Sequence, residues 1–129
     1  MIHVVDTHPL IWHLEHWRGL GKKAADILEF ATDDLIVPTI VLAEDRYTIA
    51  KKRRAVTWDE LLTFVVVDPR FRIHDLDVEI VRNLPDTLEM HDAIICATAL
   101  AYQEAFGEPV PVITKDRRIR DSGLVDTVW

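Results

Sequence analysis

The sequence predicts an α/β fold on a mostly parallel sheet. Two observations carry this reading. Short apolar runs alternate with segments whose apolar residues recur at helical spacing, as strand–helix–strand units require. The 129 residues also show no internal repeat, linker-like stretch or charged tail, so residues 1–129 read as one domain.

The elements follow in order. Ile2–Val5 is a first strand that ends at Asp6. Pro9 suits the first turn of a helix whose apolar face is Leu10, Ile11 and Leu14, and Gly19 and Gly21 break it. Lys22–Thr32 is a second helix, with Ala24, Ile27, Leu28 and Ala31 on one face. Leu35–Val37 is a short strand, and Thr39–Arg54 a third helix entered after Pro38. Thr57 and Glu60 form a capping-box pattern ahead of Leu61, Leu62, Phe64 and Val65. Phe71–His74 is an edge strand, and Asp77–Leu84 a short helix that Pro85 ends. His91–Phe106 is the longest and most apolar helix and is expected to pack centrally. Val112–Thr114 and Leu124–Trp129 are the last two strands.

Composition excludes several classes. With 49% hydrophobic and 29% charged residues, the chain has both a core and a solvated surface, so disorder is not expected. A single cysteine, Cys96, rules out an intrachain disulfide and a multi-cysteine zinc site, and its apolar neighbours make it a buried structural thiol. No apolar run approaches the ~20 residues of a membrane span. The N-terminus has no basic region of a signal peptide, so a cytoplasmic location without a membrane partner is expected. The net charge of −7 argues against a uniformly basic nucleic-acid footprint. Nine of the fifteen basic residues nevertheless fall in two windows, Arg46–Arg54 and Lys115–Arg120. Such runs also occur as solvated helix faces.

Four acids sit where they could converge. Asp6 and Asp116 lie at or just past strand ends, where a parallel sheet opens its binding crevice. Glu44 lies inside the third helix and Asp92 opens the central one. Each has a plainer explanation: Asp6 and Asp116 as helix N-caps, Asp92 as a first-turn partner of the helix dipole, Glu44 as a solvent-facing side chain. Those explanations leave the ordered recurrence of all four unexplained.

Val4-Val5-Asp6-Thr7, Pro38–Glu44, His91–Ala99, Val112–Asp116 and the ending Val125–Trp129 together resemble the PIN domain family, over essentially the whole chain. The length is similar to that of VapC-type toxins of toxin–antitoxin pairs. The resemblance implies a three-layer sandwich with a mostly parallel central sheet flanked by helices. It implies a metal-dependent ribonuclease whose ligands are Asp6, Glu44, Asp92 and Asp116, with Thr114 a supporting hydroxyl. Asp121 is a candidate for the outer part of that cluster or a surface charge. All-oxygen ligands favour Mg²⁺ or Mn²⁺. RNA phosphates would meet Arg46, Lys51, Lys52, Arg53, Lys115 and Arg117. Arg54 belongs to the same run. The resemblance also implies a small antitoxin partner, as in type II pairs, and a homodimer. Two positions depart from the family pattern: Asp45 where a hydrophobic residue is more usual, and Cys96 where a small residue is. Two other readings stand beside this one, an RNA-processing PIN nuclease without an antitoxin and an inactive PIN-fold binding module.

Overall fold

A computed structural model describes all residues 1–129. Strand β1 (Ile2–Val5) is buried along its length, as is most of β2 (Asp34–Pro38). Strands covered on both faces need no polar alternation, which is why these runs are apolar apart from the buried His3 in β1 and Asp34 at the start of β2. With β3 (Phe71–His74), β4 (Val112–Ile113) and β5 (Thr127–Val128) they form one sheet of order β3-β2-β1-β4-β5. Every pairing is parallel, so the expected mostly parallel sheet is wholly parallel, and β3 is an edge strand as predicted.

Parallel neighbours need crossover connections, and right-handed ones place their helices by direction of travel. From β1 to β3 the chain steps toward one edge through α1 (Thr7–Leu14), α2 (Lys22–Phe30), α3 (Thr39–Lys51) and α4 (Trp58–Val67). It then returns past β1 through α5 (Val78–Arg82), α6 (Met90–Phe106) and α7 (Arg117–Asp121). Accordingly α1 packs on α2, α3 and α4, while α6 packs on α5 and α7 and on β1, β2 and β4. The central position expected for α6 is observed: Ala93–Ala99 are all buried. Small residues there let the helix approach the sheet closely, and Gly107, at φ 70°, ends it in a left-handed turn.

Several boundaries differ from expectation. The second helix stops at Phe30 rather than Thr32 because Ala31 is extended. The third stops at Lys51 because Lys52 is extended, leaving Arg53 and Arg54 in the following loop. The last strand shrinks to Thr127–Val128. Helix α7 has no counterpart in the sequence reading, since five residues cannot show a helical period. Thr57 caps α4 as its pattern predicts, accepting from the Glu60 amide at 3.2 Å.

Candidate functional site

The sheet topology creates a crevice between β1 and β4. Their outgoing connections leave toward opposite sides, so the carboxyl ends of these two strands flank a switch point, where open α/β sheets place ligands. Val5 pairs with Ile113, which brings Asp6 level with Thr114. Asp6 is 7% exposed and doubly held. One carboxyl oxygen accepts from the Thr7 amide at 2.7 Å, and the other accepts from Thr114 Oγ1 at 2.6 Å. Thr114 Oγ1 in turn accepts from the Asp116 amide at 2.9 Å, so this hydroxyl links the two strand ends. Asp116 Oδ1 accepts from the Arg118 amide at 2.8 Å and caps α7. Both aspartates are therefore helix caps and also members of the crevice.

Glu44 and Asp92 enter from the two helical layers. Helices α3 and α6 touch, and His91 Nδ1 on α6 stands 3.7 Å from Glu44 Oε1 on α3. That Glu44 oxygen is buried and has no hydrogen-bond partner. Burial pushes the carboxyl groups of Asp6, Glu44 and Asp92 above their ordinary range. Negative neighbours add to the rise: Asp116 acts on Asp6, Asp6 and Asp92 on Glu44, and Asp116 and Asp6 on Asp92. The four acids thus share one electrostatic neighbourhood. No three acids, histidines or cysteines stand close enough together to grip a cation as they are.

Arg118 offsets part of this charge. Its guanidinium Nε lies 3.7 Å from Asp92 Oδ2 and 3.5 Å from Asp116 Oδ1, and Nη1 lies 3.4 Å from Glu89. Sequence reasoning placed Arg118 in a basic window without singling it out. The available signal was its position two residues past an Asp cap, where its amide is bound and its side chain starts beside the carboxylate.

The remaining candidates scatter. Asp121 is exposed at the end of α7 and pairs with Arg120 at 3.1 Å, which is the surface alternative. Lys51 is exposed on the face of α3 that also carries Glu44 and Tyr47, with its Nζ 5.7 Å from the Tyr47 ring centre. Arg46 lies on the opposite face of α3, 5.5 Å over the Trp58 ring. Lys52 and Arg53 are exposed beyond α3, and Arg117 is exposed at the start of α7. Lys115 reaches over the Trp12 ring at 5.7 Å. Arg54 is mostly buried and pairs with Glu15 at 3.3 Å, so packing rather than phosphate occupies it. Cys96 is buried and its thiol is pushed up to about 12, by burial first, which fits an inert structural role.

The sequence matches the PIN domain over residues 3–123. The chain belongs to the PIN domain family. Solved structures share the fold across nearly their full length. VapBC2 from Rickettsia felis bound to a promoter DNA fragment aligns over 99% of this chain and 98% of its own, at a TM-score of 0.68 and 14% identity. A toxin–antitoxin complex from Klebsiella pneumoniae aligns over 98% and 96%, at 0.63 and 18%. FitAcB from Neisseria gonorrhoeae aligns over 100% and 97%, at 0.66 and 21%. No curated protein matches the sequence closely enough to count as a relative. In this PIN domain no helix is long and apolar enough to cross a membrane.

Proposed function

We propose that this PIN domain is a metal-dependent endoribonuclease, the toxin of a type II toxin–antitoxin pair. The observation that carries the reading is the shared electrostatic neighbourhood of Asp6, Glu44, Asp92 and Asp116 around the β1–β4 switch point, with a buried Glu44 oxygen left unpartnered. This donor set fits a hard divalent cation in its chemistry, being anionic and all-oxygen. Mg²⁺ or Mn²⁺ held by the four carboxylates would lower the pKa of a bound water and offset charge building on phosphorus. The chain's own residues do the rest. Thr114 fixes the Asp6 carboxyl with one oxygen turned from the cap amide, and Thr7 and Arg118 amides orient Asp6 and Asp116. Lys51, Lys52, Arg53, Lys115 and Arg117 supply exposed positive charge for RNA phosphates.

The antitoxin partner rests on the fold neighbours, two of which are named as toxin–antitoxin assemblies or VapBC complexes. The homodimer finds support in apolar side chains left open on one segment, Leu76, Val78 and Val81. A cleavage assay on single-stranded RNA tests the function. Products are expected with Mg²⁺ or Mn²⁺ and none with EDTA. Equal cleavage in EDTA overturns metal dependence, and intact RNA under every condition overturns the nuclease reading.

A further inference from the structure

Beside the acid cluster lies a second concavity of about 400 Å³, lined by Ile40, Ala43, Glu44, Tyr47, Thr48 and His91. One of its walls, Glu44, belongs also to the acid cluster, and His91 beside it stands 3.7 Å from the Glu44 carboxyl, so the pocket adjoins that cluster through Glu44. Its floor is apolar, through Ile40 and Ala43, and Tyr47 stands at the rim with 66% of its surface exposed. Exposing that much aromatic surface forgoes burial energy. Lys51 lies over the same ring, which puts a positive charge next to the aromatic face.

An aromatic ring with a neighbouring cation beside a polar-rimmed pocket is the arrangement that binds single-stranded nucleic acid, with one base stacked and the adjoining phosphate paired. We infer that the Tyr47 pocket holds one nucleobase of the substrate, next to the phosphate presented to the acid cluster. Tyr47 provides the stacking face, Lys51 meets the adjoining phosphate, and Thr48 and His91 offer hydrogen-bond groups to the base edge. The site is then a specificity subsite, and it rests on the ribonuclease reading. A base is favoured over a peptide because Glu44 is shared between the pocket and the acid cluster, which on the ribonuclease reading takes a phosphate one step away, and Lys51 beside the Tyr47 ring supplies a charge for the adjoining one.

Labelled RNA octamers, oligoadenylate and oligouridylate, are bound in Ca²⁺ in place of Mg²⁺ and followed by fluorescence anisotropy. Tyr47→Ala is expected to weaken binding by about 5- to 150-fold, the equivalent of the ~1–3 kcal/mol of one stacked base. Tyr47→Phe keeps the ring and keeps wild-type affinity. The salt slope stays unchanged in Tyr47→Ala, whereas Lys51→Ala lowers it by about 0.7, one phosphate contact. Octamers with one abasic position complete the test: at one position, base loss weakens the wild type and leaves Tyr47→Ala no weaker. Unchanged affinity of Tyr47→Ala, or the same abasic profile in both proteins, overturns the subsite while the nuclease stands. So does Tyr47→Ala keeping all RNA affinity and losing an antitoxin. If the wild type neither binds nor cuts RNA, the nuclease reading falls and takes the subsite with it.

Discussion

Asp45 is fully buried on α3, directly after Glu44, and neither carboxyl oxygen has a hydrogen-bond partner. Burial, then the charges of Asp6 and Glu44, pushes its pKa to about 9, so it is neutral in the folded protein at pH 7. In the unfolded chain the same group ionises near pH 4. The unfolded state therefore binds fewer protons between these values, and stability must fall as pH rises through that window. Asp6, Glu44 and Asp92 are shifted the same way and add to the trend. Denaturation at several pH values should show the wild type losing up to about 1.4 kcal/mol per pH unit from this one group. Asp45→Asn should flatten that slope and be the more stable protein near pH 8. Thr114 offers a second test. Its hydroxyl lowers the Asp6 carboxyl against the larger pull of burial. Thr114→Val removes that bond, so Asp6 ionises at a higher pH and the acid limb of a pH–rate profile moves upward. An unmoved limb with lower stability alone would make Thr114 purely structural. Asp6, Asp92 and Asp116 stand out in the sequence because strand ends and helix starts have simple signatures, whereas Glu44, inside a helix, has none and Thr114 entered only through the resemblance to PIN domains. For Arg118 the only local signal was its place two residues past the Asp116 cap, because its pairing with Asp92 and Glu89, far away in sequence, leaves no local trace. Arg46 takes the Trp58 side of α3 rather than the Glu44 side, and a basic run does not say which side of the helix each charge takes.

At the scale of elements, the long apolar helix and the buried strands were readable from periodicity, and the ends were not. Helix α2 shows why. Arg70, on the turn before β3, donates to the carbonyls of Ile27, Leu28 and Ala31 at 3.2, 2.7 and 2.7 Å, and Asp68 holds it in place. This guanidinium satisfies the orphan carbonyls of α2 from more than thirty residues away in sequence. Nothing near Phe30 announces it. Arg70→Ala should cost on the order of 2–3 kcal/mol, since several charge-assisted bonds to part-buried groups are lost together. Arg70→Lys should recover little, because an ammonium cannot span three carbonyls as a planar fork does. Thermal unfolding of the two variants checks this; a lysine variant as stable as wild type would refute the capping account. Helix α7 was missed altogether, yet it carries both the Asp116 cap and Arg118.

For the whole molecule, the parallel sheet and its reversal between β1 and β4 place the crevice, and helices α3 and α6 bring Glu44 and Asp92 toward it from opposite layers. A homodimer would appear in light scattering as a mass of twice 14.9 kDa, and a monomer at micromolar concentration would contradict it. The central claim is that Asp6, Glu44, Asp92 and Asp116 form one cation site. Calorimetric titration of Mn²⁺ tests it on the wild type, Asp6→Asn, Asp92→Asn and Asp121→Asn, each with its melting temperature recorded. Asp6→Asn and Asp92→Asn should lose more than about 10-fold in affinity, as loss of a charged ligand requires, while Asp121→Asn binds as the wild type does. Undiminished Mn²⁺ affinity in folded Asp6→Asn and Asp92→Asn would contradict the account.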